Sequence, residues 1–91
     1  MANHQIPRRA AKVEDLTGRD ANGKTVKCIV YWHRRAGHTE PMFYVVQYRI
    51  SALGGIEPGS RVTQQFSGAR AEDRKEAEMR EVRELLAASL G

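Results

Sequence analysis

Thr25-Val26-Lys27-Cys28-Ile29-Val30-Tyr31-Trp32 is the stretch on which the fold turns. It is dense in β-branched and aromatic residues and holds neither proline nor glycine, which is the composition of a strand. Successive side chains of a strand point to opposite sides, so Val26, Cys28, Val30 and Trp32 share one face. Thr25, Lys27, Ile29, Tyr31 and His33 share the other. The strand is expected over about 24–33. Residues 34–40 are polar and contain Gly37, so they read as a loop, and Pro41 opens a second strand over 42–51. There Met42, Tyr44, Val46, Tyr48 and Ile50 read as the apolar face, set against Phe43, Val45, Gln47 and Arg49. Gly54, Gly55, Pro58 and Gly59 mark a long turn. A third strand over 61–66 alternates Val62 and Phe66 against Arg61, Thr63 and Gln65.

Beyond Ser67-Gly68 the pattern changes. Residues 69–89 contain no proline or glycine and are rich in good helix formers. Glu72, Asp73 and Glu76 stand near the start, where the helix dipole favours negative charge. Glu76 and Arg80 have the spacing and order of a favourable i,i+4 pair. Met79, Val82, Leu86 and Leu90, with Leu85 beside them, recur at helical spacing. That stripe needs an apolar partner, and one face of the sheet is the only candidate of matching size. The expected fold is therefore α+β, a three-stranded antiparallel sheet packed against one long C-terminal helix. Residues 1–9 are expected to be a flexible tail before a single domain spanning 10–91.

Residues 8–16 admit two readings. Pro7 can open a helix in which Ala10, Val13 and Leu16 recur and Gly18 stops the run. Alternatively residues 13–19 are a short strand that returns through Asn22-Gly23, a pair suited to tight hairpins. The helix is slightly favoured.

With 91 residues, the chain has room for one domain. Its 41% apolar and 29% charged content is that of a globular protein rather than a disordered one. No apolar run is long enough to span a bilayer, and residues 1–10 lack the apolar stretch of a secretory signal. Cys28 is the single cysteine, so no internal disulfide can form. A cytoplasmic protein is the expectation. Charge is divided unevenly: residues 1–71 hold 11 Lys/Arg against 5 Asp/Glu, or +6, while residues 72–91 hold 4 against 6, or −2. The basic excess thus lies on the sheet and N-terminal segment, which suits a polyanionic partner. Arginine outnumbers lysine 11 to 4, an excess that a G+C-rich genome would produce without any function.

Enzymatic and metal chemistry find little footing. Cys28, His33 and His38 are spaced five apart. Within one strand Cys28 and His33 would point to opposite faces about 16 Å apart, since a strand rises roughly 3.3 Å per residue. Zinc ligands must converge within about 2.3 Å of one ion, and a fourth ligand is missing. The same separation removes a Cys–His nucleophilic pair, and no orienting carboxylate accompanies it. His38 and Glu40 share a loop as a surface pair. Gly54-Gly55 with Gly59 lacks the order of a phosphate-binding loop and reads as a turn. No catalytic residue, metal site or cofactor is expected.

The sheet face opposite the helix carries the functional expectation. It would present Lys27, Tyr31, His33, Gln47, Arg49, Arg61, Thr63 and Gln65, flanked by Arg34 and Arg35 of the loop. Basic, amide and aromatic groups so interleaved can contact phosphates, read base edges or stack on bases. Two other readings stay open. The face can be merely solvated, with its apolar members covered by the N-terminal segment. It can also be an interface for a protein partner or a second copy, with Ile29, Phe43 and Val45 as an exposed apolar patch.

The order strand, strand, strand, helix, with Tyr44-Val45-Val46-Gln47-Tyr48-Arg49-Ile50 and residues 61–66 before a charged helix, resembles the N-terminal arm-binding domains of phage integrases. The likeness covers about residues 24–86. It implies a sheet entering a DNA major groove with Lys27, Tyr31, Gln47, Arg49, Arg61 and Thr63 facing the DNA. If residues 8–16 are helical, the chain also resembles double-stranded RNA-binding domains. Arg74-Lys75-Glu76-Ala77-Glu78 is similar to the start of that family's last helix, and Gly37-His38 falls in its minor-groove loop. Acidic Glu72, Asp73 and Glu78 and the long connection between strands two and three depart from that family. The expected role is a non-enzymatic module binding double-stranded DNA or RNA. The alternative is a small phage or mobile-element protein that occupies a host protein, as anti-CRISPR proteins do, or a homodimeric interaction protein.

Overall fold

The computed structural model describes residues 6–88. The chain forms four strands and one helix, in the order β1 (Ala11–Arg19), β2 (Thr25–His33), β3 (Met42–Arg49), β4 (Val62–Phe66) and α1 (Ala71–Ala88). The strands pair antiparallel in sequence order, β1-β2-β3-β4, so the sheet is an up-and-down meander of α+β class. The expected sheet of three strands gains a fourth: the helix favoured over residues 8–16 does not form, and after a turn at 8–9 the chain enters a strand that takes in the alternative reading of 13–19. The reason lies in the turn that follows it. Asp20 Oδ1 accepts the backbone N–H groups of Asn22 and Lys24 at 2.9 and 3.0 Å, and Gly23 supplies a φ of +79°. Asp20 N–H donates to the Lys24 carbonyl at 2.9 Å, which closes the hairpin. An aspartate that satisfies its own turn fixes the register of both strands. Helical spacing of Ala10, Val13 and Leu16 cannot compete with a ladder along the whole of β2.

β1 carries a bulge at Val13, where the register with β2 shifts by one residue. From Glu14 onward Glu14, Leu16 and Gly18 lie on the same face as Cys28, Val30 and Val26. That face receives the helix. Cys28, Val30, Phe43 and Val45 pack against Ala71, Met79, Val82 and Leu86 of α1, with Leu16, Val26 and Phe66 at the margin. The expected helical stripe is present in Met79, Val82 and Leu86, whereas Leu85 is 71% exposed and stays out of the core. Leu90 lies outside the described residues. The approach is closest at Gly18, where a Cβ would sit 2.8 Å from Leu86 Cβ, so glycine here makes room for the helix. Lys75, buried on the same helix face, holds its ammonium 4.8 Å above the Phe43 ring. Glu76 bonds Lys75 and reaches Arg83 at 3.5 Å, rather than pairing with Arg80 as its spacing suggests. Arg83 also grips Glu14 at 2.8 Å and so ties the helix to β1.

The connection between β3 and β4 folds back on β3. Ile50 and Ile56 form an isolated bridge, Glu57 N–H donates to the Arg49 carbonyl at 2.8 Å, and Ser60 Oγ accepts from Arg49 N–H at 3.1 Å. Glu57 accepts from Lys24 at 2.6 Å and from the Arg49 guanidinium, so one carboxylate joins the first hairpin turn to this connection. The Lys24 hydrogen bond, then that from Arg49, holds its pKa below the ordinary 4.5. A carboxylate whose folded pKa is depressed adds stability that is complete above its unfolded pKa and is lost as pH falls through the folded one. Denaturant midpoints should therefore hold level from neutral pH down to the ordinary carboxylate range and then fall. Glu57→Gln should start lower at pH 7 and fall less steeply in acid. Parallel curves for the two proteins would show that this tie contributes nothing.

Candidate nucleic-acid interface

The register separates the residues expected to share one surface. Lys27, Ile29, Tyr31 and His33 of β2 do lie on the face away from the helix, opposite Tyr48, Val46, Tyr44 and Met42 of β3. Thr63 and Gln65 of β4 continue that face opposite Val46 and Tyr44. Gln47 and Arg49 do not. They pair with Cys28 and Val26 on the helix side, together with Phe43 and Val45. The alternation of β3 is thus inverted relative to the sequence-based expectation. Met42, Phe43, Tyr44, Val45 and Val46 are all buried, so both faces of this strand are apolar and its own pattern cannot tell inside from outside. Pairing with β2 decides it, because Val30 sits across from Val45.

This inversion changes the chemistry of the expected surface. Phe43 and Val45, proposed as an exposed patch, are 5% and 0% exposed and belong to the core. Arg49 is bound to Glu57, whose hydrogen bond raises the guanidinium pKa above its ordinary value. On the other face Lys27 pairs with Asp15 at 2.9 Å, and Asp15 is reached from its own strand by Lys12 at 3.4 Å. The Lys27 hydrogen bond holds the Asp15 carboxyl below its usual pKa and raises that of Lys27 in return. The middle of this face is not open to solvent either, since Met42, Tyr44, Val46 and Thr63 are buried. A row of free basic groups across the sheet is not what the fold builds.

Four exposed arginines gather at one end of the sheet instead. Ala11 pairs with Trp32, which sets the turn before β1 beside the end of β2. That turn is closed by Ala10 N–H donating to the Pro7 carbonyl at 3.1 Å and carries Arg8 and Arg9, both exposed. Arg34 and Arg35 follow β2 directly, in the loop whose own turn is closed by His38 N–H on the Arg35 carbonyl at 3.0 Å. All four arginines are exposed and none is ion-paired among the described residues. Trp32, 37% exposed, stands at the same end, paired with Ala11 and two residues before Arg34. Arg61 is also exposed but stands at the opposite end, next to Val62 and Gln47. Arg34 and Arg35 are thus the members of the expected set that meet other free cations. Arg8 and Arg9 were outside that set; reading residues 13–19 as a strand would have brought them in.

Cys28 and His33 lie on opposite faces of β2, and among the described residues no cluster of His, Cys, Asp or Glu has the arrangement of a metal site. Cys28 is fully buried, with Sγ 3.9 Å from Met79 Sδ. Burial, reinforced by the charge of Glu14, pushes its thiol up to about 11. The thiolate is the reactive form, so Cys28 should resist alkylation by iodoacetamide at pH 8 in the native protein and react fully in denaturant. Rapid native labelling, read by mass spectrometry, would show that the core around it opens. No described helix is long and apolar enough to cross a membrane. No family model matches the chain, and neither the curated proteins nor the solved structures give a significant match.

Proposed function

We propose that this chain is a non-enzymatic module that binds double-stranded nucleic acid through the basic end of its sheet rather than through the sheet face. The observation that carries the reading is the meeting of Arg8 and Arg9 with Arg34 and Arg35 at one end, exposed and outside every ion pair of the described residues. Elsewhere much of the basic excess is answered locally: Lys12 and Lys27 by Asp15, Lys24 and Arg49 by Glu57, and Arg83 by Glu14. Guanidinium forks match phosphate oxygens two at a time, and free ones release the counterions of a duplex without first breaking a bond of their own. Trp32 at the same end offers a stacking or sugar contact.

The deciding experiment is fluorescence anisotropy of labelled duplex DNA and duplex RNA over a salt series. Salt-sensitive binding to either duplex supports the reading, and the preferred duplex tells whether DNA or RNA is the partner. Flat curves at low salt would end it.

A further inference from the structure

The helix crosses its sheet on a diagonal. Near its start Lys75 stands over Phe43, which pairs with Phe66 of edge strand β4. Near its end Leu86 presses on Gly18 of the other edge strand, β1. Among the described residues the diagonal leaves two corners of the sheet uncovered, one beside Trp32 and one at the end remote from the arginine cluster. A cleft of about 820 Å³ lies at the second, within the roughly 300–1,000 Å³ of small-molecule sites. Its apolar part comes from Val26, Val62, Val82 and Leu85, of which Val62 is 43% exposed.

The polar groups around that floor are not balanced. Arg49 is engaged by Glu57, and Asp20 Oδ1 is occupied by two backbone N–H groups of its turn. Gln47 and Tyr48 bring groups that can both donate and accept, and two acceptors stand out beside them. Gln64 Oε1 is buried with no hydrogen-bond partner. Glu78, on the helix flank that lines the cleft, is half-buried and makes no hydrogen bond or ion pair among the described residues. A buried acceptor without a donor and a half-buried carboxylate without a cation both favour one kind of guest.

From this geometry we infer that the cleft between the C-terminal half of α1 and the β3–β4 corner is a binding site for a small organic cation, an apolar body ending in an ammonium or guanidinium. The apolar part would lie on Val26, Val62 and Leu85, and the cationic N–H groups would answer Glu78 and Gln64 Oε1. The site is independent of the duplex-binding reading, since it lies at the other end of the molecule and calls for the opposite charge.

The test is a ¹⁵N–¹H NMR titration with phenethylamine, matched against 3-phenylpropionate, which carries a similar apolar body and the opposite charge. The amine should saturate in the millimolar range, as roughly nine heavy atoms allow. Its shifts should centre on Val62, Gln64, Glu78 and Leu85. The acid should bind at least about tenfold more weakly, the value of one charge-assisted hydrogen bond. Glu78→Gln should weaken the amine by a similar factor while leaving the folded spectrum intact, and Val62→Lys, which places an ammonium in the cleft, should block it. Equal binding of amine and acid, shifts centred elsewhere, or an unchanged affinity in Glu78→Gln would each overturn the inference. Replacing Arg8, Arg9, Arg34 and Arg35 should leave amine binding as it was, so the two sites can fail separately.

Discussion

Replacing Arg8, Arg9, Arg34 and Arg35 together by alanine should lower duplex affinity by on the order of 10²–10³-fold near 0.1 M salt. Each phosphate neutralised on B-DNA contributes about 0.9 to the slope of log K against log salt, so removing four contacts should flatten that slope by about 3 to 4. A thermal melt separates a lost contact from a lost fold, because an unfolded variant would show no cooperative transition. All four positions are exposed and outside the core, so the thermal midpoint should stay close to that of the parent. A matched variant, Arg49→Ala with Arg61→Ala, removes two charges at the opposite end and should change affinity by less than about threefold, the usual scale for distant surface charge. Reversal of that order, with Arg49 and Arg61 dominant, would return the contact surface to the far end of the sheet and sink the proposal.

Met79→Ala should be the most damaging single truncation in the core. Met79 is fully buried beneath the helix, in van der Waals contact with Cys28 and surrounded by Val30, Val45 and Val82. Its removal forfeits the transfer energy of the lost atoms and leaves a cavity that a sheet and a single helix can only partly close. Methionine-to-alanine changes at such sites cost about 2–5 kcal/mol. In a domain of this size each kcal/mol moves the thermal midpoint by about 4–8 °C, so a fall of roughly 10–30 °C is expected. Leu85→Ala, nearly two turns further along on the exposed flank, should move it by no more than a few degrees. Similar losses for the two would mean that the helix does not dock through the face described.

What could be read in the residues followed from how strongly each element declares itself. β2 alternates cleanly, its ends are marked, and its observed span of Thr25–His33 lies within the expected one. α1 is a long run without proline or glycine, and its Met79, Val82 and Leu86 meet the sheet as their spacing demands. β1 was ambiguous because Lys12, Val13, Glu14 and Asp15 carry no single period. A bulge at Val13 breaks the alternation that would have exposed the strand. The candidate interface was legible only in part. Arg34 and Arg35 stand in an evident loop, but Arg8 and Arg9 join them only once β1 is paired with β2.

Local pattern was enough to set the class of the molecule: strands and then one helix, a single cysteine on the opposite strand face from His33, and a basic sheet half against an acidic helix. Those features depend on local spacing and composition, which any stretch of ten residues carries with it. Tertiary structure alone decided which face of β3 meets the helix, and therefore where Gln47 and Arg49 lie. A strand apolar on both sides stores no preference of its own, and a shift of one residue in register exchanges its faces. The ladder with β2 makes that choice by setting Val45 beside Val30. The same ladder decides which arginines remain free, because an ion pair such as Arg49–Glu57 or Arg83–Glu14 forms only when distant segments have been brought together.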